Sequence, residues 1–199
     1  MNYLAHAYLS FNLPGILVGN LISDFVKGKK QFDYPPDIQK GIVLHRAIDT
    51  FTDEHTATAR AKEVFRPFYR LYSGAFVDVV YDHFLANDPT QFAGNDLFDF
   101  SQQVYHTLDQ QERFFPTPFK MMFPYMKQHN WLYNYRQRHG IEKSFEGVVR
   151  RAAYLTESRT AYQLFEDQYD ELRACYDDFF PSLRAHALAT LQSFDHKAV

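Results

Sequence analysis

The chain has 199 residues, with 21 Lys+Arg against 24 Asp+Glu, giving a formal charge of −3 with histidine neutral. That length suits one domain with a substantial core, and the small acidic excess argues against a nucleic-acid binder, which normally carries a basic surplus. A single cysteine, Cys175, excludes an internal disulfide framework and a thiolate metal cage and points to a reducing cytoplasm, while the absence of a basic leader or an apolar run of about 18 residues argues against a signal peptide and a membrane span.

In chain order, apolar residues recur at spacings of three and four, without β-like alternation or a hairpin dipeptide. Helices are expected at about residues 13–26, 36–53, 55–71, 74–87, 96–113, 119–138 and 141–155, with a long one from about 160. Pro14 and Pro36 stand where first-turn prolines belong, whereas Pro67 and Pro181 should kink or break their helices. In the last segment Phe165, Tyr169, Leu172, Tyr176, Phe179 and Leu183 form one apolar stripe, which reads as core. With 20 Phe and 14 Tyr the core is bulky. The expectation is a single all-α domain over residues 1–199, a helical bundle.

Chemistry concentrates in the first ninety residues. In the segment from Asp37 to Asp53, residues His45, Asp49 and Asp53 advance by only about 40° per four-residue step, so they share one stripe, with Arg46 on its flank. The rest of that circumference is Val43, Leu44, Ala47, Ile48 and Phe51, so the helix is interior and its polar stripe must be paired or metal-bound. Asp78 and Asp82 share a face of a second apolar helix, with His83 about 100° away from Asp82. Asn20 and Asp24 share a face of a third, and His6 sits in the apolar segment Tyr3 to Leu9. Imidazoles and carboxylates without thiolates suit Mn, Fe, Mg or Zn hydrolytic centres, and the Arg46 fork suits a phosphate oxygen. The generic expectation is metal-assisted phosphoester hydrolysis in a helical bundle. Cys175 reads as a buried thiol, and His55, His106, His129, His139, His186 and His196 read as surface residues.

These residues and their order resemble the acyl carrier protein phosphodiesterase (ACP hydrolyase) family. The resemblance rests on Asn2-Tyr-Leu-Ala-His6, Gly19-Asn-Leu-Ile-Ser-Asp24-Phe25, Pro35-Pro-Asp37, Gly41-Ile-Val-Leu-His-Arg-Ala-Ile-Asp49 with Thr52-Asp53, and Asp82-His-Phe-Leu85, with weaker echoes at Trp131-Leu132, Arg150-Arg151 and Phe180-Pro181. It implies a helical, HD-like phosphohydrolase that removes 4′-phosphopantetheine from holo-acyl carrier protein (holo-ACP) and prefers Mn²⁺. The order Asp82-His83 reverses the HD pair. The resemblance places Asp24, His45, Asp82 and His83 nearest the metal, with His6 and Asp49 next. Arg46 is expected to hold the diester and His6 to protonate the leaving serine, while Asp53, Asp78 and Asn20 orient the ligands. Acyl carrier proteins are acidic, so Lys27, Lys29, Lys30 and Lys40 are candidates for the docking face.

Two other readings stay open on the residues alone. An HD-like phosphohydrolase acting on a nucleotide or small phosphodiester would be separated by its substrates. A non-catalytic helical adaptor, its polar stripes closed by salt bridges, would bind no stoichiometric metal.

Overall fold

A computed structural model describes residues 1–196, with side chains through Phe194. His196 and the end of the expected 1–199 domain lie outside the described side chains. The regular elements among the described residues are helices: α1 (Tyr3–Tyr8), α2 (Pro14–Ile22), α3 (Pro36–Glu54), α4 (Thr56–Tyr69), α5 (Ser73–Ala86), α6 (Asp96–Asp109), α7 (Thr117–Gln128), α8 (Trp131–Asn134), α9 (Arg138–Arg151), α10 (Arg159–Asp167) and α11 (Tyr169–His196). Short 3₁₀ turns join several of them, including Ser23–Phe25 and Gly28–Asp33.

Pro14 and Pro36 each occupy the first turn of a helix, as their missing N–H permits. The expected helix over 119–138 is instead two, because Asn130 adopts φ 42°, a left-handed conformation that ends α7 before α8 begins. The expected long final helix is divided into α10 and α11 at Gln168. Pro67 and Pro181 lie inside α4 and α11 rather than ending them, Pro67 near the last turn and Pro181 in a helix that runs on to His196. The helix α1 has no counterpart among the expected elements. At six residues it is too short to show an apolar period.

Helix α5 runs through the middle, and its buried residues cover nearly the whole circumference. Helices α1, α4, α9 and α11 pack around it, and α11 also lies along α3 and α4. The α11 stripe meets this core through aromatic contacts such as Tyr81 on Phe179, ring centroids 5.0 Å apart. Two histidines expected at the surface are half-buried: His55 accepts a hydrogen bond from the Ala57 N–H at the start of α4, and His186 stacks on Phe51 at 4.6 Å.

The contact that positions the site is α2 against α3. A Cβ on Gly19 would lie 2.0 Å from the Ile38 carbonyl oxygen, and one on Gly41 would lie 2.3 Å from the Ile16 carbonyl oxygen. Glycine on both helices therefore lets the two backbones touch. That close approach brings Asn20 of α2 to the flank of His45 of α3.

Candidate metal centre

One ring nitrogen of His6, one of His45 and one carboxylate oxygen of Asp49 lie within 4.8 Å of one another. His6 comes from α1, while His45 and Asp49 are one turn apart on α3. The two imidazoles stack, with centroids 4.0 Å apart and planes 16° from parallel. Both histidines are buried, whereas the Asp49 side chain is 40% exposed and Asp24, 70% exposed, stands on the solvent side.

Asn20 fixes the tautomer of both rings. Its amide nitrogen donates to the His6 carbonyl oxygen at 2.9 Å and to Ser10 Oγ at 3.1 Å, which turns its amide oxygen toward His6 Nδ1 at 2.8 Å. Because that oxygen only accepts, His6 Nδ1 carries the hydrogen. The Asn20 backbone carbonyl likewise accepts from His45 Nδ1 at 2.7 Å. With Nδ1–H committed to an oxygen, each ring is oriented as metal-bound histidines usually are, its Nε2 directed at the centre. His45 Nε2 lies 3.2 Å from Asp24 Oδ1 and 3.1 Å from Asp49 Oδ2. His6 Nε2 is 3.2 Å from Asp49 Oδ1, yet outside hydrogen-bonding alignment, so it is a buried nitrogen without a partner.

The electrostatics follow from this crowding. Burial lowers His6 to about 4, helped by the charge on His45 beside it. Burial opposes the charge on His45 too, but hydrogen bonds with Asp24 and Asp49 raise it to about 9. Burial would raise the Asp49 carboxyl; His45, His6 and the α-ammonium of Met1 hold it far below the usual range instead. The hydrogen bond from His45 likewise lowers Asp24. The cluster thus presents carboxylates and ring lone pairs that need a cation between them, whether a proton on His45 or a divalent ion. A donor set of two imidazoles and a carboxylate, with Asp24 on the open side, fits a divalent metal.

The other expected site residues go elsewhere. The Asp82 carboxylate is fully buried and accepts the backbone N–H groups of Leu4 at 2.7 Å and Ala5 at 3.2 Å, which caps the first turn of α1. Burial raises its carboxyl to about 7 despite these bonds. Asp78, one turn before it, meets the Met1 α-ammonium at 3.0 Å; the same ammonium is 3.4 Å from Asp49. The acidic face of α5 therefore meets the Met1 ammonium and the first turn of α1 and does not converge on the candidate centre.

His83 faces away, with Nδ1 donating to the Tyr135 carbonyl at 2.7 Å and Nε2 facing the Tyr169 hydroxyl at 3.0 Å. Both ring nitrogens have partners, and burial lowers its pKa to about 4. Asp53 pairs with Lys62 at 2.7 Å. The Arg46 guanidinium is committed to Gln31 Oε1 at 2.6 Å and the Val26 carbonyl at 3.4 Å, so it ties down the turn that follows Asp24. Lys27, Lys29 and Lys30 are exposed on that turn, while Lys40 sits 3.7 Å from Asp37.

Sequence reasoning missed Ser10 and the glycine crossing. Ser10 holds the Asn20 amide and donates to the His6 carbonyl at 2.7 Å. The only hint was a serine one turn after His6 on an apolar segment.

The family model described as acyl carrier protein phosphodiesterase matches residues 1–183. The chain is 32% identical over 188 residues to a protein of that name from Yersinia pestis, covering 94% of this chain and 97% of the relative. It is 33% identical over 188 residues to one from Klebsiella pneumoniae (strain 342), covering 92% and 95%. A third, from Enterobacter sp. (strain 638), is 32% identical over 188 residues, covering 94% and 97%. No solved structure matches the chain. With its site geometry and this near full-length match together, the chain belongs to the acyl carrier protein phosphodiesterase family.

Proposed function

We propose that this chain is a metal-dependent phosphodiesterase that hydrolyses the 4′-phosphopantetheine linkage of holo-ACP to release the apo-carrier, with Mn²⁺ as its ion. The observation that carries the reading is the unpartnered, buried His6 Nε2 beside Asp49, with the Nδ1–H of both histidines held by Asn20. When bound, the ion would supply Lewis acidity toward a phosphoryl oxygen and acidify water at neutral pH.

The protein's part is positional. Asn20 and Ser10 hold the His6 ring, Asp49 stays ionised, and exposed Asp24 borders the face where a diester enters. His6, at about 4, carries no spare proton at neutral pH, which suits ligation rather than protonation of the leaving serine. Arg46 shapes the turn beside the site rather than gripping phosphate. Lys27, Lys29 and Lys30 on that turn are the face we assign to the acidic carrier. The single buried thiol of Cys175 accords with work in the cytoplasm, and among the described residues no helix is long and apolar enough to cross a membrane.

The test is to incubate the protein with Mn²⁺ and holo-ACP and weigh the carrier by mass spectrometry. The carrier should lose the mass of its phosphopantetheine arm with the wild type and keep it with His45→Ala. A carrier left intact by metal-loaded wild type would refute the reading. Turnover should also fall as ionic strength rises, because exposed lysines steer by screened charge.

A further inference from the structure

Helices α1, α7, α8 and α9 line an open cavity of about 740 Å³, a size typical of small-molecule sites, whose wall takes Tyr3 from α1. Its apolar wall includes Tyr3, Met122, Tyr125 and Trp131, and Arg150 and Arg151 stand on another side. Tyr3 and Trp131 pack with centroids 6.4 Å apart, and the Tyr3 hydroxyl meets Met122 Sδ at 3.6 Å. Tyr3 precedes His6 by three residues on α1, so a residue of the cavity wall and a histidine of the candidate centre are neighbours on that helix.

The arginines stand out on α9. Arg138 pairs with Glu166 and Lys143 with Glu146, but Arg150 and Arg151, both exposed, have no carboxylate partner among the described residues. Two guanidiniums without acidic partners on one wall call for an anionic group. Burial and then Asp24 push the Tyr3 hydroxyl up to about 12 while Arg151 pulls it back, so the charges of both Asp24 and Arg151 reach Tyr3.

We propose that this cavity cradles the pantetheine arm of the substrate, with its amide chain along Tyr3, Tyr125 and Trp131 and its phosphate between the metal centre and Arg151. The inference rests on the hydrolase reading for the identity of the arm. It adds a subsite that accounts for the unpaired arginines and for the open aromatic wall, Tyr125 being 60% exposed. It also assigns the guanidinium contact to the phosphate, which Arg46 cannot make while it clamps the Gln31 turn.

The test is calorimetric titration of 4′-phosphopantetheine, and separately of pantetheine, into the full chain in the presence of Mn²⁺. Arg151→Gln should weaken 4′-phosphopantetheine by about tenfold or more and leave pantetheine within about twofold of wild type. Tyr125→Ala should weaken both. Each residue is exposed, so both variants should keep the wild-type melting temperature. Wild-type affinity for 4′-phosphopantetheine in both variants would overturn the cavity assignment, as would wild type that prefers AMP. If wild type strips holo-ACP while both variants bind product normally, the subsite alone is overturned. If wild type strips nothing while the variants show the losses above, the hydrolase reading fails and the cavity assignment stands.

Discussion

Replacing Asn20 with alanine tests the support of the proposed metal site directly. Asn20 is fully buried and makes three side-chain hydrogen bonds, to His6 Nδ1, to the His6 carbonyl and to Ser10 Oγ. The His6 carbonyl keeps its bond from Ser10 Oγ at 2.7 Å, so only His6 Nδ1 is left buried without a partner. That orphan costs about 1–3 kcal/mol and the two other lost bonds about 1 kcal/mol each, a total of roughly 3–5 kcal/mol. For a chain of this size the melting temperature should drop by roughly 6–20 °C. The His6 ring, freed to rotate, should also bind its ion about 10–100-fold more weakly. Urea denaturation without metal gives the first quantity, and Mn²⁺ titration of the folded fraction gives the second. A loss below about 1 kcal/mol with unchanged metal affinity would refute the claim that the Asn20 side chain holds the His6 ring and sets its tautomer.

Other consequences follow from the same geometry. Gly41→Ala puts a methyl 2.3 Å from the Ile16 carbonyl oxygen and should cost about 1–3 kcal/mol or more in chemical denaturation, whereas a neutral outcome would deny the backbone contact of α2 and α3. His83 is held neutral with its pKa lowered to about 4, so the unfolded chain takes up a proton first as pH falls. Its share of stability is therefore lost between about pH 6.5 and 4, roughly 3 kcal/mol, and His83→Gln should flatten that part of the stability–pH curve; an unchanged slope would mean the ring is not desolvated. Asp82→Asn should lower the melting temperature but still take up stoichiometric Mn²⁺, because Asp82 caps α1. An Asp82→Asn protein that melts like wild type but binds no metal would restore Asp82 as a ligand.

The sequence made the helices legible because 3.6-residue periodicity and first-turn prolines are local signals, as at Pro14 and Pro36. It missed the break at Asn130 because asparagine permits a left-handed conformation without requiring one, so the residue alone does not mark a helix end. The stripe of His45, Asp49 and Asp53 was readable for the same local reason, but the helix is not interior as its apolar flanks suggested: Val43, Arg46 and Asp53 face solvent, and only His45 of the stripe is buried. The grouping of Asp82 and His83 with that stripe was not readable. Helical spacing says which residues share a face, but not which neighbour that face meets. Here the face of α5 meets the N–H groups of α1, and the His83 ring meets Tyr135 and Tyr169. His6 rises to the centre because α1 docks on α2 through Asn20, a contact across 14 positions that no period reveals.

We propose that two imidazoles and a carboxylate, pre-set by Asn20, seat one divalent cation. Mn²⁺ titration of purified, metal-stripped protein, followed by electron paramagnetic resonance of free and bound ion, measures it directly. One ion per chain is expected for wild type and for Arg46→Gln, and its loss in His6→Ala, His45→Ala and Asp49→Asn. A wild-type chain that binds no Mn²⁺, or single variants at these three positions that bind it as wild type does, would show that these side chains do not form the site.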